Sequence, residues 1–323
     1  MKKGTLKLLL SSVAAATCAV SLTASTFAYV IIGNSVEVAD FYFDIESQEG
    51  LLVSLDGINY QQDITSNQLK EKIAGSVTNF DKKSFIGVTP LQDNGLIKYD
   101  GENVMFGYDN ASEANRVHDY ENAIANDNYI KFDLWFKVLT PTTSTSNFSL
   151  VLGEKTKIES TTEDIEIVNA FTVGTDTYHS GDTVTQSVKN AIRLGLYNQN
   201  SVNKEFRIFE VTDDTDLGTT AIEGRTDNHA PSSNIMYNYY NVIHPLYPFT
   251  EGAEDGEAYD TVGQYGTLVN NIWNGEHVSY FKDDGVAKVT VYLWLEGWDA
   301  DYLLGTSVAG SEIGATLEFA LTK

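Results

Sequence analysis

The residues best suited to bind a ligand lie on one face of the clearest β pattern in the chain, residues 286–298. Apolar side chains alternate there with a second set that includes Tyr292, Trp294 and Trp298. Because successive side chains of a strand point to opposite faces, these three rings share the face opposite the apolar one. Aromatic rings beside carboxylates can hold sugars by stacking, so we take the three as candidate polysaccharide-binding residues.

The alternative is that more of the chain covers these rings, since large exposed apolar patches are uncommon unless they bind something. The first candidate for the cover is the stretch 225–281, which is rich in Asn, Tyr, Gly and acids and shows no sustained periodicity. An irregular insertion of that length is uncommon in a compact domain. We expect it to lie over the aromatic face of residues 286–298.

Two carboxylates follow the same strand pattern. Asp299 and Asp301 are separated by a single alanine, and hard cations such as Ca²⁺ prefer carboxylate oxygens. The pair is a candidate calcium site, with a solvated turn as the alternative reading. No other cofactor is expected from the sequence.

The sequence lacks the usual signatures of catalysis. No H-E-x-x-H occurs, and the segment GTSVA at 305–309 has alanine where a G-x-S-x-G elbow needs its second glycine. Acids within 296–301 could form the carboxylate pair of a glycan-active hydrolase, but their spacing selects no particular pair. We therefore expect a non-catalytic protein, with a secreted hydrolase as an alternative.

The first 28 residues have the pattern of a secretory signal peptide. Lys2, Lys3 and Lys7 form a basic region, Leu8–Leu22 is an apolar run, and small residues ending at Ala28 supply a cleavage site. We expect cleavage after Ala28. The mature protein is then secreted and extracellular, at the cell surface.

Charge and cysteine content restrict the partners of the mature chain. The chain has one cysteine, Cys18, which lies in the predicted signal peptide, so the mature chain has none with which to form a disulfide. A formal net charge of −24 disfavours nucleic acid and anionic membrane surfaces as partners. No apolar run after the signal peptide is long enough to span a bilayer.

Residues 29–323 are predicted to form a single all-β domain. Many short segments alternate with a period of two, Tyr129–Val138 among the clearest, and turn-like stretches separate them. Thr65–Gly75 and Thr183–Lys189 are predicted short helices. This organisation is typical of an antiparallel β-sandwich with jelly-roll or Greek-key connections, one or two short helices and a long irregular insertion around 225–281.

Two further features concern connections. The alternating runs Ala39–Ile45 and Leu51–Asp56 are separated by a short polar segment and are predicted to form a hairpin. Residues 140–147 are rich in Ser and Thr. They are the best candidate for a sub-boundary within the domain or for an exposed loop.

Several segments carry a resemblance to a known family. They are Lys2-Lys3, the run Leu8–Leu22, Thr26–Tyr29 at the predicted cleavage site, and the strand segments Ile130–Lys137 and Leu293–Asp301. Together they resemble exported surface or matrix proteins of Gram-positive bacteria related to the TasA and camelysin family. The resemblance implies a jelly-roll-like protein in which the N-terminal strand of one subunit completes the sheet of the next.

In this chain the candidate donor strand is Tyr29–Val38, which begins with Tyr29, Val30, Ile31 and Ile32. A strand at a free terminus can add to an exposed sheet edge, although an ordinary intramolecular strand is the alternative. We expect a secreted structural protein that self-assembles through this strand, with copies of itself or other surface and matrix proteins as partners. An extracellular carbohydrate-binding module is the alternative function.

Overall fold

The computed structural model describes residues 35–48, 50–74, 84–93, 96–109, 120–139, 148–160, 162–173, 175–187, 191–198, 205–210, 242, 265–266, 277–282, 284–296 and 311–322. Regular structure in this part of the chain is almost entirely β, with one short helix, α1 (Ser66–Ala74). The predicted all-β class is confirmed.

The strands follow one another along the whole described chain. They are β1 (Ser35–Ser47), β2 (Leu51–Ser54), β3 (Asp63–Ile64), β4 (Ser84–Pro90), β5 (Gln92–Asp93), β6 (Leu96–Ile97), β7 (Tyr99–Asp100), β8 (Asn103–Val104), β9 (Phe106–Asp109), β10 (Tyr120–Asn122), β11 (Ile130–Val138), β12 (Ser149–Leu152), β13 (Lys157–Ser160), β14 (Thr162–Glu166), β15 (Phe171–Val173), β16 (Asp176–Tyr178), β17 (Thr183–Ser187), β18 (Ile192–Asn198), β19 (Glu205–Glu210), β20 (Tyr265–Gly266), β21 (His277–Tyr280), β22 (Val286–Glu296) and β23 (Ser311–Thr322).

One sheet of 15 strands dominates the fold. Its main path runs β20-β19-β18-β22-β4-β1-β23-β12-β21, and six further strands pair along the sides of this path. The sheet is mixed, because β1 runs parallel to β23, β22 parallel to β4, and β19 parallel to β20. The predicted antiparallel pairing holds for most of the described strand pairs but not for these three, and the sandwich with jelly-roll or Greek-key connections stays a prediction.

The main core contains side chains from both halves of this sheet. Phe43 of β1 packs edge-on against Phe132 of β11, with ring centroids 5.1 Å apart. Phe136 of β11 lies 4.5 Å from Phe319 of β23. These contacts join β11 to β1 and β23, strands with which it does not pair in the sheet. The apolar side chains of β22 and β18 lie in the same core.

Helix α1 covers part of the free side of β1. It is capped by Thr65 and Gln68, since the Thr65 N–H donates to Gln68 Oε1 at 2.9 Å, the arrangement of a capping box. The backbone N–H of Phe43 donates to Ser66 Oγ at 3.0 Å. Leu69, one turn into the helix, is buried in the main core. The helix thus occupies hydrogen-bonding groups that would otherwise form an open sheet edge.

Two local expectations differ from the structure. The predicted hairpin of residues 39–56 is wrong, because β1 pairs with β3, β4 and β23, whereas β2 pairs with β11. The predicted helix at Thr183–Lys189 is wrong, because Thr183–Ser187 is strand β17, paired with β14. In both cases the sequence pattern was local, and a non-local partner determined the outcome.

The predicted insertion 225–281 is partly described. Its end forms β21, which pairs with β12, and Val278 and Phe281 are buried in the main core. Apart from residue 242 and the short strand β20, the rest of this range lies outside the described residues, as do residues 140–147. Among the residues that the structure describes, no helix is long and apolar enough to cross a membrane.

Candidate functional site

The aromatic face of β22 is covered. Tyr292 is 0% exposed and Trp294 is 1% exposed. From Val289 to Glu296 every residue of the strand is buried, on both faces. The prediction that Tyr292 and Trp294 stack on a polysaccharide is therefore wrong for these two residues, because neither ring has a face open to a ligand.

The cover comes from the segment that precedes β11. We call residues 97–108 the cover segment; it contains β7, β8 and part of β9. Phe106 is its central residue, with its ring centroid 5.5 Å from that of Tyr292 and 5.0 Å from that of Trp294. Tyr129 packs beside Phe106, at 4.4 Å. The expected cover, residues 225–281, lies mostly outside the described residues, so its contribution to this face stays a prediction.

The neighbouring strands β18 and β19 complete this second core. Tyr197, Phe206 and Ile208 share the face of Tyr292 and Trp294 and are buried with them. Gly195, opposite Tyr292 on β18, leaves room for the rings. A Cβ added there would lie 2.5 Å from the Phe206 ring and 2.9 Å from Trp294, so the absence of a side chain allows the close approach.

The polar atoms of the buried rings have partners. The Tyr292 hydroxyl accepts a hydrogen bond from the backbone N–H of Val104, at 3.1 Å. Burial raises the pKa of Tyr292 well above its usual range. Burial likewise raises the pKa of Tyr99 and that of Tyr129 to about 12. These phenols are held neutral because a buried phenolate would lose its hydration.

Charged groups are buried at one end of the second core. Trp294 Nε1 donates to Glu296 Oε2 at 3.1 Å, and Glu296 is 0% exposed. Arg193, opposite Trp294 on β18, is also buried, and its Nη1 donates to the carbonyl of Ile192. Glu296 belongs to the range from which a hydrolase would take its acids. In this position it interacts with the core and not with an open cleft.

Polar residues line the border of the second core on β11 and β22. Asp133 accepts a hydrogen bond from Thr290 Oγ1 at 2.6 Å and pairs with Lys288 at 2.9 Å. Lys131 Nζ contacts Asn103 Oδ1 in the cover segment. Burial lowers the pKa of Lys131, and the nearby Lys288 ammonium lowers it further, against the opposing effect of Asp133.

Trp135 is the outward-facing ring of β11, and it is only partly exposed. The backbone of Gly57, which has a positive φ of 73°, lies against this ring, so that an added Cβ would be 3.2 Å from it. The Lys288 ammonium lies over the same ring, 5.0 Å from its centroid. Gly57 and Lys288 therefore already lie against the Trp135 ring, in the space that a stacked sugar would need.

The other predicted site residues lie outside the described part of the chain. These are Trp298, the candidate calcium ligands Asp299 and Asp301, and the donor-strand residues Tyr29, Val30, Ile31 and Ile32. Within the described residues, no group of three or more His, Cys, Asp or Glu side chains is placed to hold a metal ion.

Sequence reasoning missed the polar border of the second core. Asn103 lies in a weak strand beside an Asp-Gly turn, and Lys131 and Asp133 are ordinary outward residues of an alternating strand. Their convergence depends on how the cover segment lies on β11, for which the sequence has no local signal.

Comparisons with protein-family models, with curated proteins and with solved structures found no match to this chain.

Proposed function

We propose that this protein is a secreted, non-catalytic structural protein of the cell surface or matrix, which assembles with copies of itself through its N-terminal strand. The exchanged strand in this proposal is β1 (Ser35–Ser47), which shares residues 35–38 with the expected donor strand Tyr29–Val38. The observation that supports the proposal is the position of β1. This strand lies between β4 and β23 and joins the two halves of the main sheet. A single strand near the N-terminus therefore supplies backbone hydrogen bonds to both halves.

The edges that β1 occupies support strand exchange. Residues Ser35–Glu37 pair with β4, and residues 38–47 pair with β23 in parallel. If β1 leaves this place, both neighbours have unpaired edges, and such edges accept a strand from another chain. A second copy can supply the same strand in the same register, because an exchanged element makes identical contacts in either chain.

The location of β1 along the chain favours this exchange. It begins shortly after the predicted cleavage site at Ala28. A strand close to a free end can leave one sheet and enter another without threading a loop. Carboxylates are abundant on the chain, and its net charge of −24 opposes nonspecific association. Association through a specific strand overcomes that repulsion with directed backbone hydrogen bonds.

Disulfide trapping tests the proposal, because the predicted mature chain contains no cysteine. Asp44 of β1 lies opposite Thr316 of β23. We expect Asp44→Cys and Thr316→Cys proteins, mixed during assembly and then oxidised, to form a disulfide-linked pair containing one copy of each. Mass spectrometry of the oxidised product identifies this pair. A double variant that is oxidised as a monomer should no longer assemble in sedimentation experiments.

The matched control replaces Thr316→Cys by Lys157→Cys. Lys157 pairs with Thr316 from the opposite side of β23, so it lies about 10 Å from Asp44 in either the exchanged or the unexchanged sheet. This mixture should give no mixed disulfide. Equal cross-linking in both mixtures, or a wild-type protein that stays monomeric at all concentrations, contradicts assembly by strand exchange.

A further inference from the structure

Lys131 and Asn103 are held together at the border of the second core. Lys131 lies opposite Tyr292 on the neighbouring strand, and its Nζ contacts Oδ1 of Asn103. Asn103 is the first residue of β8, and the next residue, Val104, donates its N–H to Tyr292. Strand pairing and a buried hydrogen bond therefore position both partners.

The surroundings of Lys131 favour a reactive amine. Burial lowers the pKa of its ammonium group; the Asp133 carboxylate opposes this effect, and Lys288 adds to it. An uncharged amine has the free lone pair that a nucleophile needs. Asp133, two residues along the same face of β11, is fixed by Thr290 and Lys288. Its negative charge acts on the Lys131 ammonium, and in the reaction described below this carboxylate is the general base.

We propose that Lys131 and Asn103 are joined by an intramolecular isopeptide bond. Lys131 gives one proton to Asp133, and the Nζ lone pair then attacks Cγ of Asn103. A second proton passes from Nζ to Nδ2, and the Cγ–Nδ2 bond breaks. The ammonia that leaves takes the first proton from Asp133. One ammonium and one carboxamide become one secondary amide and one ammonium ion, without oxidant, reductant or cofactor.

The position of Asn103 suits this reaction. Its side chain is exposed, so the released ammonia escapes into solvent. The reverse reaction, attack of ammonia on the new amide, is therefore disfavoured. The bond connects the cover segment covalently to β11. A cross-link between residues 103 and 131 restricts the unfolded chain in the way that a disulfide does. It therefore provides covalent stabilisation in a mature chain predicted to contain no cysteine.

The intact mass of the purified mature protein, measured under denaturing conditions, tests the proposal directly. We expect a mass lower by one ammonia than the sequence requires. Fragmentation after proteolysis should identify a branched peptide that links Asn103 to Lys131. A wild-type mass equal to that of the sequence overturns the proposal, whatever the variants show.

Three variants separate the cross-link from other losses of ammonia, such as cyclisation of an asparagine onto its own backbone. Lys131→Arg keeps the positive charge and should restore the full mass, whereas backbone cyclisation at Asn103 would persist in it. Asp133→Asn should lower the cross-linked fraction in a timed preparation. Lys137→Arg, farther along the same face of β11, should leave the cross-link intact. Loss of ammonia that survives in Lys131→Arg contradicts the proposal.

Discussion

Tyr292 illustrates how an outward-facing residue of a strand becomes a core residue. Its ring packs against Phe106 and Phe206, at 5.5 Å in both cases, and its hydroxyl is satisfied by the Val104 N–H. Removal of a large apolar side chain from water stabilises a fold by about 1.5–3 kcal/mol. The hydroxyl can be buried without a large cost because it has a partner.

The hydrogen bond of Tyr292 can be tested by removing a single oxygen atom. Tyr292→Phe leaves the buried N–H of Val104 without its acceptor, and we expect a loss of about 1–3 kcal/mol in the free energy of unfolding. Urea denaturation measures it. Tyr280→Phe is the matched control, since Tyr280 is 54% exposed, and it should change stability by no more than about 0.5 kcal/mol. Equal effects would contradict a stabilising role for the buried hydroxyl.

Gly195 provides a second test at the residue scale. The added methyl group of Gly195→Ala overlaps Phe206 and Trp294, and overpacking of this kind costs about 1–3 kcal/mol. Combination with Phe206→Leu should make the double variant more stable than the sum of the two single losses predicts, because the smaller side chain leaves room for the methyl. Strict additivity in urea unfolding would show that the two positions do not compete for space.

At the scale of elements, β22 is central because both of its faces are buried and both of its edges are paired. It pairs with β11 along one edge and with β18 along the other. Its end also pairs with β4 in parallel. Main-core residues lie on one face, and second-core residues lie on the other. An interior strand of this kind cannot itself present a binding surface.

The segment from β14 to β17, unlike β22, lies outside the main sheet. β14 pairs with β17, β15 pairs with β16, and backbone hydrogen bonds between Ile167 and residues 181–182 connect the two pairs. Within the described chain these four strands pair only with one another. The result is a two-stranded ribbon, with Phe171 stacked on Tyr178 near its tip.

We expect the ribbon to open locally far more often than the main sheet. Although Ile167 and Phe171 are buried, the described backbone hydrogen bonds of the ribbon join two strands alone, and such a pair is marginally stable in water. Local opening governs amide hydrogen exchange. In native-state exchange followed by mass spectrometry, peptides from 162–187 should exchange much faster than peptides from β11 and β22. Protection of the ribbon equal to that of β22 would mean that its opening requires unfolding of the sheet.

At the scale of the whole molecule, the described residues form two buried clusters that share strands of one sheet. The main core contains no buried tyrosine, whereas the second contains Tyr129, Tyr197 and Tyr292. The tyrosine hydroxyls make the second core sensitive to alkaline pH. The described structure therefore contains one core that ionises at high pH beside one that does not.

This difference predicts the direction of the alkaline stability profile. The unfolded-state pKa of tyrosine is about 10, whereas in the fold those of Tyr99 and Tyr129 are about 12. The folded state therefore holds these protons more tightly. The stability they contribute is complete below about pH 10 and is lost as the pH rises from about 10 to about 12. Urea midpoints across this range measure the loss.

A double variant, Tyr99→Phe with Tyr129→Phe, isolates the contribution of these two phenols. Its stability should decrease less steeply than that of the wild type over the same pH interval, because neither phenylalanine ionises. Tyr292 remains in both proteins, so part of the decrease persists. Identical slopes would mean that the ionisation of Tyr99 and Tyr129 is not linked to unfolding.

Local properties were predicted well from the sequence. The predicted segments Tyr129–Val138 and 286–298 correspond to β11 and β22 within two residues, and Thr65–Gly75 corresponds to α1 within one. Alternation and capping depend only on neighbouring residues, so the sequence contains these signals directly. The signal peptide and the donor strand also rest on local patterns, and they stay predictions.

Contacts between segments that are distant in the sequence could be determined only from the tertiary structure. The sequence alone implied an all-β protein with an aromatic strand face that something must cover or bind. Tertiary structure determined that residues 97–108 cover it, that β1 runs parallel to β23, and that Lys131 meets Asn103. The physical reason is that a period of two assigns each side chain to a face. Which distant segment lies on that face depends on shape complementarity and chain connectivity, and no local pattern records either.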